Sequence, residues 1–180
     1  MIGLAPNEGK NLLINVDGVN YARWPIKTHI IAPSDNILAV AEKYAGPYLQ
    51  KGDILFVSEK IVAISQGRAF KISDIKPSRL ANFLVKFVHK SLYGIGLGSP
   101  WTMELAIREA GAPRMLLAAA LSALTKLLGW RGVFYKVVGK NINAIDGPCS
   151  YTLPPYNKYA KLGPLKPDKV ARELKEKLGC

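Results

Sequence analysis

Four side chains that can bind phosphate oxygens cluster in one short stretch of the sequence. Ser58, Lys60, Gln66 and Arg68 follow an apolar run, residues 54–57, which predicts a strand buried on both faces. In an open α/β sheet, the carboxyl ends of strands face the crevice where ligands bind. A lysine supplies a point charge there and an arginine a bidentate clamp. The stretch therefore predicts a phosphate site with Lys60 and Arg68 as its catalytic cations. The alternative is an exposed polar turn.

Three glycines before a predicted helix form a second candidate anion site. Gly94, Gly96 and Gly98 are placed so that free backbone N–H groups at the helix N-terminus can bind an anion. No Gly-Lys-Ser or Gly-Lys-Thr follows, and the third glycine comes too early for the dinucleotide-binding fingerprint. Gly96 and Gly98 are therefore candidates for phosphate binding, and the alternative is a flexible turn between two packed aromatic residues.

Single acids and histidines supply the remaining candidates. Asp146 follows an apolar segment, where a carboxylate can bind Mg²⁺ together with nucleotide phosphates; the alternative is that it caps a turn. His29 and His89 titrate near neutrality and are candidate general bases, His29 the stronger, although lone histidines are usually structural. Cys149 and Cys180 show neither metal-ligand spacing nor a nucleophile signature.

Charge favours an anionic partner. The chain has 25 Lys and Arg against 13 Asp and Glu, a formal net charge of +12. Nucleotides, polyphosphates, nucleic acid and anionic surfaces all satisfy this charge. In residues 156–161, Tyr156, Lys158, Tyr159 and Lys161 interleave in a pattern that can stack bases and neutralise phosphates. The alternative is a loop that these side chains pin to the surface.

Local signals predict the elements that position these residues. Asp17-Gly18 predicts a tight turn in a hairpin over residues 12–16 and 20–24. Ser34 and Asp35 are predicted to cap the first helix. Helices are predicted over residues 37–45, from Ser78 to about residue 90, from Pro100 to Gly111, over 114–128 and over 168–178. Strands are predicted over residues 54–57 and 131–138, an extended piece over 142–145 and an ordered non-helical segment over 147–167.

Length and composition predict one domain over residues 1–180 with its own core. The expected fold is α+β (mixed α/β): a central mixed β-sheet with an N-terminal hairpin and about five flanking helices. The apolar run at residues 115–128 is shorter than the roughly 20 residues that span a bilayer, so a buried helix is predicted. No signal peptide is apparent, and the expectation is a cytoplasmic protein without a membrane partner.

The order of residues around Lys60 resembles a known family. Gly52-Asp53, a hydrophobic run, Ser58 and Lys60, then Gly67-Arg68 are spaced as in the gamma-glutamyl ligase that extends the tail of the deazaflavin coenzyme F-420. Asp35 resembles the family's acidic helix start. Other segments are similar to a short, ligase-like branch: Ser78 to Ala81, Gly94 to Gly98, Ala144 to Pro148 and Thr152 to Pro164. The sequence departs from the family at Gln66, where a Glu is usual, and in lacking recognisable metal-binding acids.

The resemblance implies a GTP-dependent ligase that joins an amino acid such as L-glutamate to a carboxylate through an acyl phosphate. It also implies GTP and Mg²⁺ or Mn²⁺ as cofactors and a homodimer as the assembly. The family's enzymes are longer, so three interpretations are open: a truncated fragment, a subunit whose site a partner completes, or a domain that kept the scaffold and lost the ligase. The alternative function is a non-enzymatic, basic nucleotide- or RNA-binding module on the same scaffold.

Overall fold

The computed structural model describes residues 5–88, 94–139 and 141–180. Within these ranges the chain forms helices and short antiparallel strands, which confirms the predicted α+β class. In chain order the elements are β1 (Leu13–Val16), β2 (Val19–Ala22), α1 (Ile37–Tyr44), α2 (Glu59–Ser65), β3 (Ala69–Lys71), α3 (Arg79–Leu84), α4 (Pro100–Ala110), α5 (Ala112–Leu127), α6 (Val133–Val138), β4 (Tyr159–Lys161) and α7 (Pro167–Leu178).

The chain groups into two compact units, Met1–Phe56 with Asp168–Cys180, and Val57–Pro167. The single domain expected over residues 1–180 stays a prediction.

The first unit contains the predicted hairpin. Strands β1 and β2 pair antiparallel, with Leu13 opposite Ala22 and Val16 opposite Val19. Asp17 and Gly18 both have positive φ angles, 52° and 84°. Two consecutive positive φ angles are what a primed two-residue turn requires, so the Asp-Gly signal is confirmed.

Helix α1 of the same unit is confirmed, but its predicted cap is wrong. The side chain of Asn36 accepts hydrogen bonds from the N–H groups of Leu38 and Ala39. Asp35 instead accepts from the backbone N–H of Ala32 at 2.7 Å. Helix α7 begins one residue earlier than predicted, and its Lys177 Nζ lies 2.9 Å from Oε2 of Glu42 in α1.

The predicted buried strand at residues 54–57 is wrong. No strand forms there, and Ile54 and Phe56 are 62% and 88% exposed. A strand needs a neighbour to satisfy its backbone, and none of the described segments pairs with this one. Ser58 follows directly as the N-cap of helix α2, so the alternative of an exposed polar turn is also wrong for residues 59–65.

The predicted strand at residues 131–138 is a helix. Valine and aromatic residues favour strands locally, yet residues 133–138 form α6, and Val138 is fully buried in the core of the second unit. Packing against α5 outweighs the local preference. A 3₁₀ helix, Ile142–Ala144, replaces the predicted extended piece. Lys140, between them in sequence, lies outside the described residues.

Helices α3 to α6 surround the core of the second unit. Helix α4 begins with a capping box: Ser99 Oγ accepts from the N–H of Thr102, and Thr102 Oγ1 accepts from the N–H of Ser99. Gly111 ends it with a φ of 86°, so the predicted Ser-Pro start and Gly stop are confirmed. The helix predicted from Ser78 begins as expected but its α-helical part ends at Leu84. The fully buried core side chains include Met103, Leu105, Met115, Val138 and Ile142.

Two small sheets stand in place of the predicted central mixed sheet. In the described residues, β1 pairs only with β2 and β3 only with β4, both antiparallel. Lys161 of β4 also forms a bridge with Asp146: each residue's N–H donates to the other's carbonyl oxygen, at 2.8 and 3.0 Å. The segment predicted as non-helical thus supplies the strand that brings Asp146 to its site.

Helix α5 is only partly buried, which corrects the prediction of a buried helix. Met115 and Ala118 lie in the core, whereas the leucines on the opposite side are exposed. No helix in the described part of the chain is long and apolar enough to cross a membrane.

Candidate active site

A cleft of about 330 Å³ lies in the second unit, where three separate stretches of sequence meet. One wall comes from the start of α2, a second from the glycine loop before α4, and a third from the 3₁₀ helix Ile142–Ala144 together with the segment that follows it. The lining residues are Lys60, Gly94, Gly96, Asn143, Ala144, Ile145, Asp146 and Tyr151. Three residues singled out from the sequence, Lys60, Gly96 and Asp146, are therefore together.

An ion pair between Lys60 and Asp146 is the centre of the cleft. Lys60 lies in the first turn of α2, and its Nζ contacts Oδ2 of Asp146. The other carboxylate oxygen, Oδ1, accepts from the N–H of Gly147 at 2.9 Å. The Lys60 side chain is 39% exposed and that of Asp146 is 16% exposed. The lysine is thus accessible to a ligand, while the carboxylate lies deeper.

The pair keeps both groups charged. Burial disfavours the charged form of each, but the hydrogen bond and the charge of the partner outweigh burial. The pKa of Lys60 is therefore raised and the pKa of Asp146 lowered. At neutral pH the cleft presents a fixed ammonium group, which suits the binding of a carboxylate or phosphate oxygen.

A second lysine lies behind the carboxylate. Lys161 is 1% exposed, and its Nζ donates to the carbonyl oxygen of Tyr159 at 3.2 Å. It is directly opposite Asp146 in the antiparallel bridge, so the two side chains share a face. Burial, and next the charge of Lys60, lower the pKa of Lys161. Asp146 therefore lies between an accessible and a buried lysine.

Tyr151 also lines the cleft, and Cys149 lies next to it. Tyr151 lines it and is 74% exposed, whereas Cys149 is 8% exposed. The neighbouring thiol of Cys149 raises the pKa of the Tyr151 phenol. The Tyr151 hydroxyl is therefore protonated at neutral pH and able to donate a hydrogen bond to a ligand.

The glycine loop contributes two of its three glycines to the cleft. Gly94 and Gly96 line it, and Gly96 has a φ of 48°. Gly98 does not; its N–H donates to the carbonyl oxygen of Ile95 at 2.7 Å and closes a turn. A side chain at Gly94 would place its Cβ 3.7 Å from Oδ1 of Asp146, so the loop runs close to the carboxylate.

The other side chains predicted around Lys60 do not line the cleft. Ser58 is at the N-cap position of α2 but its side chain makes no capping hydrogen bond. The amide of Gln66 bonds reciprocally to the backbone of Leu165, at 2.7 and 3.0 Å. Arg68 Nε donates to the carbonyl oxygen of Gly163 at 2.7 Å, and its guanidinium lies 3.0 Å from Glu109. Gln66 and Arg68 fix the segment after β4, which is a structural role.

The histidine candidates lie elsewhere. His29, in the first unit, has Nε2 at 2.9 Å from Asp35 and Nδ1 at 3.1 Å from the Tyr44 hydroxyl. The hydrogen bond and the charge of His29 help to lower the pKa of Asp35, after the larger effect of the Ala32 N–H. This trio ties the chain before α1 to that helix. His89 lies outside the described residues.

The side chains that line the cleft do not form a suitable site for the divalent cation implied by the resemblance. Asp146 is the single carboxylate of the cleft lining, and Lys60 and Gly147 already occupy its two oxygens. Mg²⁺ is held by oxygen ligands, usually one or two carboxylates with phosphates and water, and two lysines beside Asp146 oppose it. In residues 5–88, 94–139 and 141–180, no three His, Cys, Asp or Glu side chains lie close enough to hold a metal ion.

The aromatic and basic segment also differs from its expected role. Lys161 is buried and so does not reach solvent phosphates. The rings of Tyr156 and Tyr159 contact one another edge to face, with centroids 5.2 Å apart. Three of the four side chains expected to stack bases or bind phosphates, Tyr156, Tyr159 and Lys161, therefore make contacts within the fold.

Replacing Lys161 with methionine is expected to stabilise the protein by about 1 kcal/mol at pH 7, because a buried charge is exchanged for an apolar side chain of similar volume. The folded-state pKa of Lys161 is below the ordinary 10.5. The buried ammonium group therefore lowers the free energy of unfolding by its full amount at pH values below the folded-state pKa, and this loss of stability disappears as the pH rises toward 10.5. Urea unfolding at pH 7 and pH 10 checks this: the gain should shrink at pH 10. The same change at the exposed Lys76 is the control, and a loss of stability in Lys161→Met at pH 7 would contradict the expectation.

Sequence patterns did not place Lys161 or Tyr151 beside Asp146; Lys161 was expected on an exposed, phosphate-binding surface instead. The only local signal for Lys161 is a lysine between Ala160 and Leu162, both of which are buried. A lysine in an apolar strand is a weak sign of an interior charge, because lysine stems often cover apolar surface with the ammonium in water. Tyr151 has no signal beyond its place among prolines.

Comparison with known proteins supplies a family match. A family model described as F420-0:gamma-glutamyl ligase matches residues 25–179. An uncharacterized protein of Methanocaldococcus jannaschii is 36% identical to this chain over 78 residues, which are 42% of this chain and 26% of that protein. The match thus spans about a quarter of the length of this curated relative. No solved structure matches the chain.

Proposed function

The chain belongs to the F420-0:gamma-glutamyl ligase family, and from this membership we propose that the cleft at Lys60 and Asp146 serves an acid–amino-acid ligase. The membership supports a ligase-like function. The identity of the nucleotide, the identity of the acceptor and the acyl phosphate intermediate go beyond the family match and are part of the proposal.

In the proposed reaction, GTP transfers its terminal phosphoryl group to a carboxylate, which gives an acyl phosphate and GDP. The amine of an amino acid such as L-glutamate then attacks the acyl carbon. A C–N bond forms, the C–O bond to phosphate breaks with its electrons going to the leaving phosphate, and the nitrogen loses a proton. Most of the catalysis in such a transfer is positioning and charge stabilisation, which requires fixed cations and N–H donors. In this proposal the cations and N–H donors of the cleft stabilise the charge, since the described residues do not fit Mg²⁺ or Mn²⁺.

The observation that carries the proposal is the position of Lys60. Its ammonium group is accessible at the cleft and is held charged by one carboxylate. An incoming phosphate or carboxylate can share this ammonium with Asp146, since lysine has three donors. The backbone at Gly96 and the hydroxyl of Tyr151 lie around the same cleft and supply neutral donors.

The assembly and location follow the family resemblance alone. We propose a homodimer in the cytoplasm, with the nucleotide and a small carboxylate as ligands. Sedimentation velocity of the 180-residue chain tests the dimer, and a monomer at every concentration would contradict it.

Lys60→Ala is expected to weaken nucleotide binding by roughly tenfold or more, because a hydrogen bond to a charged group is worth more than a neutral one. Isothermal titration with GTP, GDP and ATP, each with and without Mg²⁺, measures the change, and phosphate release with L-glutamate and candidate acceptors measures turnover. Lys76→Ala is the matched control, since Lys76 is exposed and does not line the cleft. Unchanged affinity in a folded Lys60→Ala variant would rule out this site.

The misfit to a divalent cation favours one second candidate, a nucleotide- or RNA-binding module without enzymatic activity. Such a module needs the cations of the cleft but no metal. It would bind nucleotide equally well without Mg²⁺ and release no phosphate, or bind RNA with an affinity that falls steeply with salt. A nucleotide affinity that requires Mg²⁺, together with amide formation, would exclude it.

A further inference from the structure

One side of helix α5 is apolar and exposed along its whole length. Five leucines on it and Leu128 at its C-cap have 36% to 87% of their surface in solvent, and together they are called the α5 leucine face: Leu116, Leu117, Leu121, Leu124, Leu127 and Leu128. Ala120 and Ala123 lie between them and are exposed as well. At 100° per residue these positions fall within less than half of the helix circumference. The opposite side carries Met115 and Ala118, which are fully buried.

The α5 leucine face is large for a surface without a partner. It holds no charged residue, and its exposure is greatest near the end of the helix, where Leu127 and Leu128 are 87% and 71% exposed. Trp130 follows in the next turn and is 65% exposed. Contiguous exposed apolar patches on soluble proteins rarely exceed a few hundred Å², and larger ones mark sites of interaction. Such a face is typical of an interaction site, and the surrounding charge indicates the chemistry of its occupant.

The segment that carries the face is basic throughout. Residues 111–145 contain five basic residues and no Asp or Glu: Arg114, Lys126, Arg131, Lys136 and Lys140. Lys126 and Arg131 flank the most exposed leucines in sequence and are themselves exposed. Tyr135, 44% exposed, joins Trp130 as an aromatic residue with a polar tip. Exposed leucines beside tryptophan, tyrosine and cations are the composition of helices that lie in a membrane interface.

We propose that the α5 leucine face binds an anionic lipid surface, with the leucines in the headgroup and acyl boundary and the cations on the lipid phosphates. The charge favours this occupant over a second copy of the chain: two copies of the face would bring the exposed cations Lys126 and Arg131 of both chains together, with no acid at residues 111–145 to offset them, whereas anionic lipid attracts each cation. The contact is peripheral. It departs from the sequence-based expectation of no membrane partner, which had treated α5 as buried. It involves no residue of the cleft and goes beyond the proposed ligase.

Vesicle flotation of the 180-residue chain tests the proposal. Vesicles of phosphatidylcholine alone are compared with vesicles that also contain phosphatidylserine, at low and at physiological salt. The expected result is binding to the anionic vesicles, with a blue shift of tryptophan fluorescence that is lost in Trp130→Phe. Acyl-chain brominated lipids should quench the same signal, which places Trp130 below the headgroups.

Two double variants separate the apolar from the charged contribution. Leu127→Gln with Leu128→Gln should weaken partitioning roughly tenfold or more, because each leucine leaves the apolar boundary. Lys126→Gln with Arg131→Gln should weaken it by a similar factor at low salt and less at high salt. Leu153→Gln is the matched control, since Leu153 is 72% exposed outside the face. Circular dichroism confirms that each variant is folded, which is expected because the changed leucines are largely exposed.

Three outcomes would overturn the proposal. Absence of binding to anionic vesicles would do so directly. Binding that Leu127→Gln with Leu128→Gln retains in full would mean simple electrostatic adsorption without the α5 leucine face. Concentration-dependent dimers that Leu127→Gln with Leu128→Gln converts to monomers, without vesicle binding by the original chain, would assign the face to a second copy. Loss of nucleotide binding in Lys60→Ala affects none of these readouts, so the two proposals fail independently.

Discussion

Asp146→Ala is expected to lower the free energy of unfolding by about 2–3 kcal/mol at pH 7, because it leaves two lysines without their shared counter-charge. Removing one partner of a fully buried ion pair costs more than this. Here the side chain of Lys60 is 39% exposed, and water screens it. The larger share of the loss comes from Lys161, which is 1% exposed and directly opposite Asp146 in the antiparallel bridge.

The dependence of this effect on pH has a definite sign. The folded-state pKa of Asp146 lies below its ordinary 3.8, so the stability that the carboxylate contributes is fully present above pH 3.8. It is lost as the pH falls through the folded pKa and Asp146 becomes protonated. The original chain and Asp146→Ala should therefore differ most near neutrality and converge under strongly acidic conditions.

Urea unfolding of both proteins between pH 3 and pH 8 measures this difference. Asp74→Ala is the matched control, since Asp74 is exposed and accepts one bond from the Ser73 hydroxyl; surface changes of this kind are worth within about 0.5 kcal/mol. Adding Lys161→Met to Asp146→Ala should restore a large part of the lost stability, because the buried charge is then gone. Equal stability of Asp146→Ala and the original chain at pH 7 would mean that the buried lysine is neutral there.

Sequence reasoning succeeded where one or two residues determine the backbone locally. The Asp17-Gly18 turn and the Ser99-Pro100 helix start were predictable because each depends on intrinsic φ preferences or on a side chain that reaches its own backbone. The strand expected at residues 131–138 failed for the converse reason. Its helix depends on contacts with α5, which no window of sequence contains.

The cleft was predictable only in part for the same reason. Lys60, Gly96 and Asp146 were each singled out from their own short motif, but their meeting depends on β4, which lies in a segment predicted only to be ordered and non-helical. Arg68 was expected beside Lys60 because the two are close in sequence. Helix α2 separates them, since a residue eight positions further along lies beyond the helix end and next to a different loop.

Gly163→Ala is expected to cost about 3 kcal/mol of stability, because a methyl group at this position has no space to occupy. A Cβ on Gly163 would lie 2.6 Å from Nδ2 and 2.8 Å from the backbone oxygen of Asn141. Rotation of the Asn141 side chain relieves the first contact but not the second. The oxygen is fixed, because Asn141 has a φ of 58° and its carbonyl accepts from the N–H of Ala144 at 3.1 Å.

Gly163→Ala should also affect the cleft, in addition to the loss of stability from the steric clash. To relieve it, the segment after β4 must move away from Asn141, and the carbonyl oxygen of Gly163 accepts the Arg68 Nε hydrogen bond at 2.7 Å. Moving that oxygen leaves a guanidinium that is only 14% exposed with one partner fewer. Because Lys161 and Gly163 are two residues apart, nucleotide binding at Lys60 should also weaken in this variant, although neither residue is in contact with the ligand.

Gly94→Ala separates this mechanism from a general intolerance of larger residues near the cleft. Its Cβ would lie 3.7 Å from Oδ1 of Asp146, an ordinary contact, so its melting temperature should stay close to that of the original chain. Differential scanning calorimetry of both variants measures the contrast. If Gly163→Ala melts within a degree of Gly94→Ala, the segment after β4 moves freely, and the bonds from Gln66 and Arg68 do not hold the strand that positions Asp146.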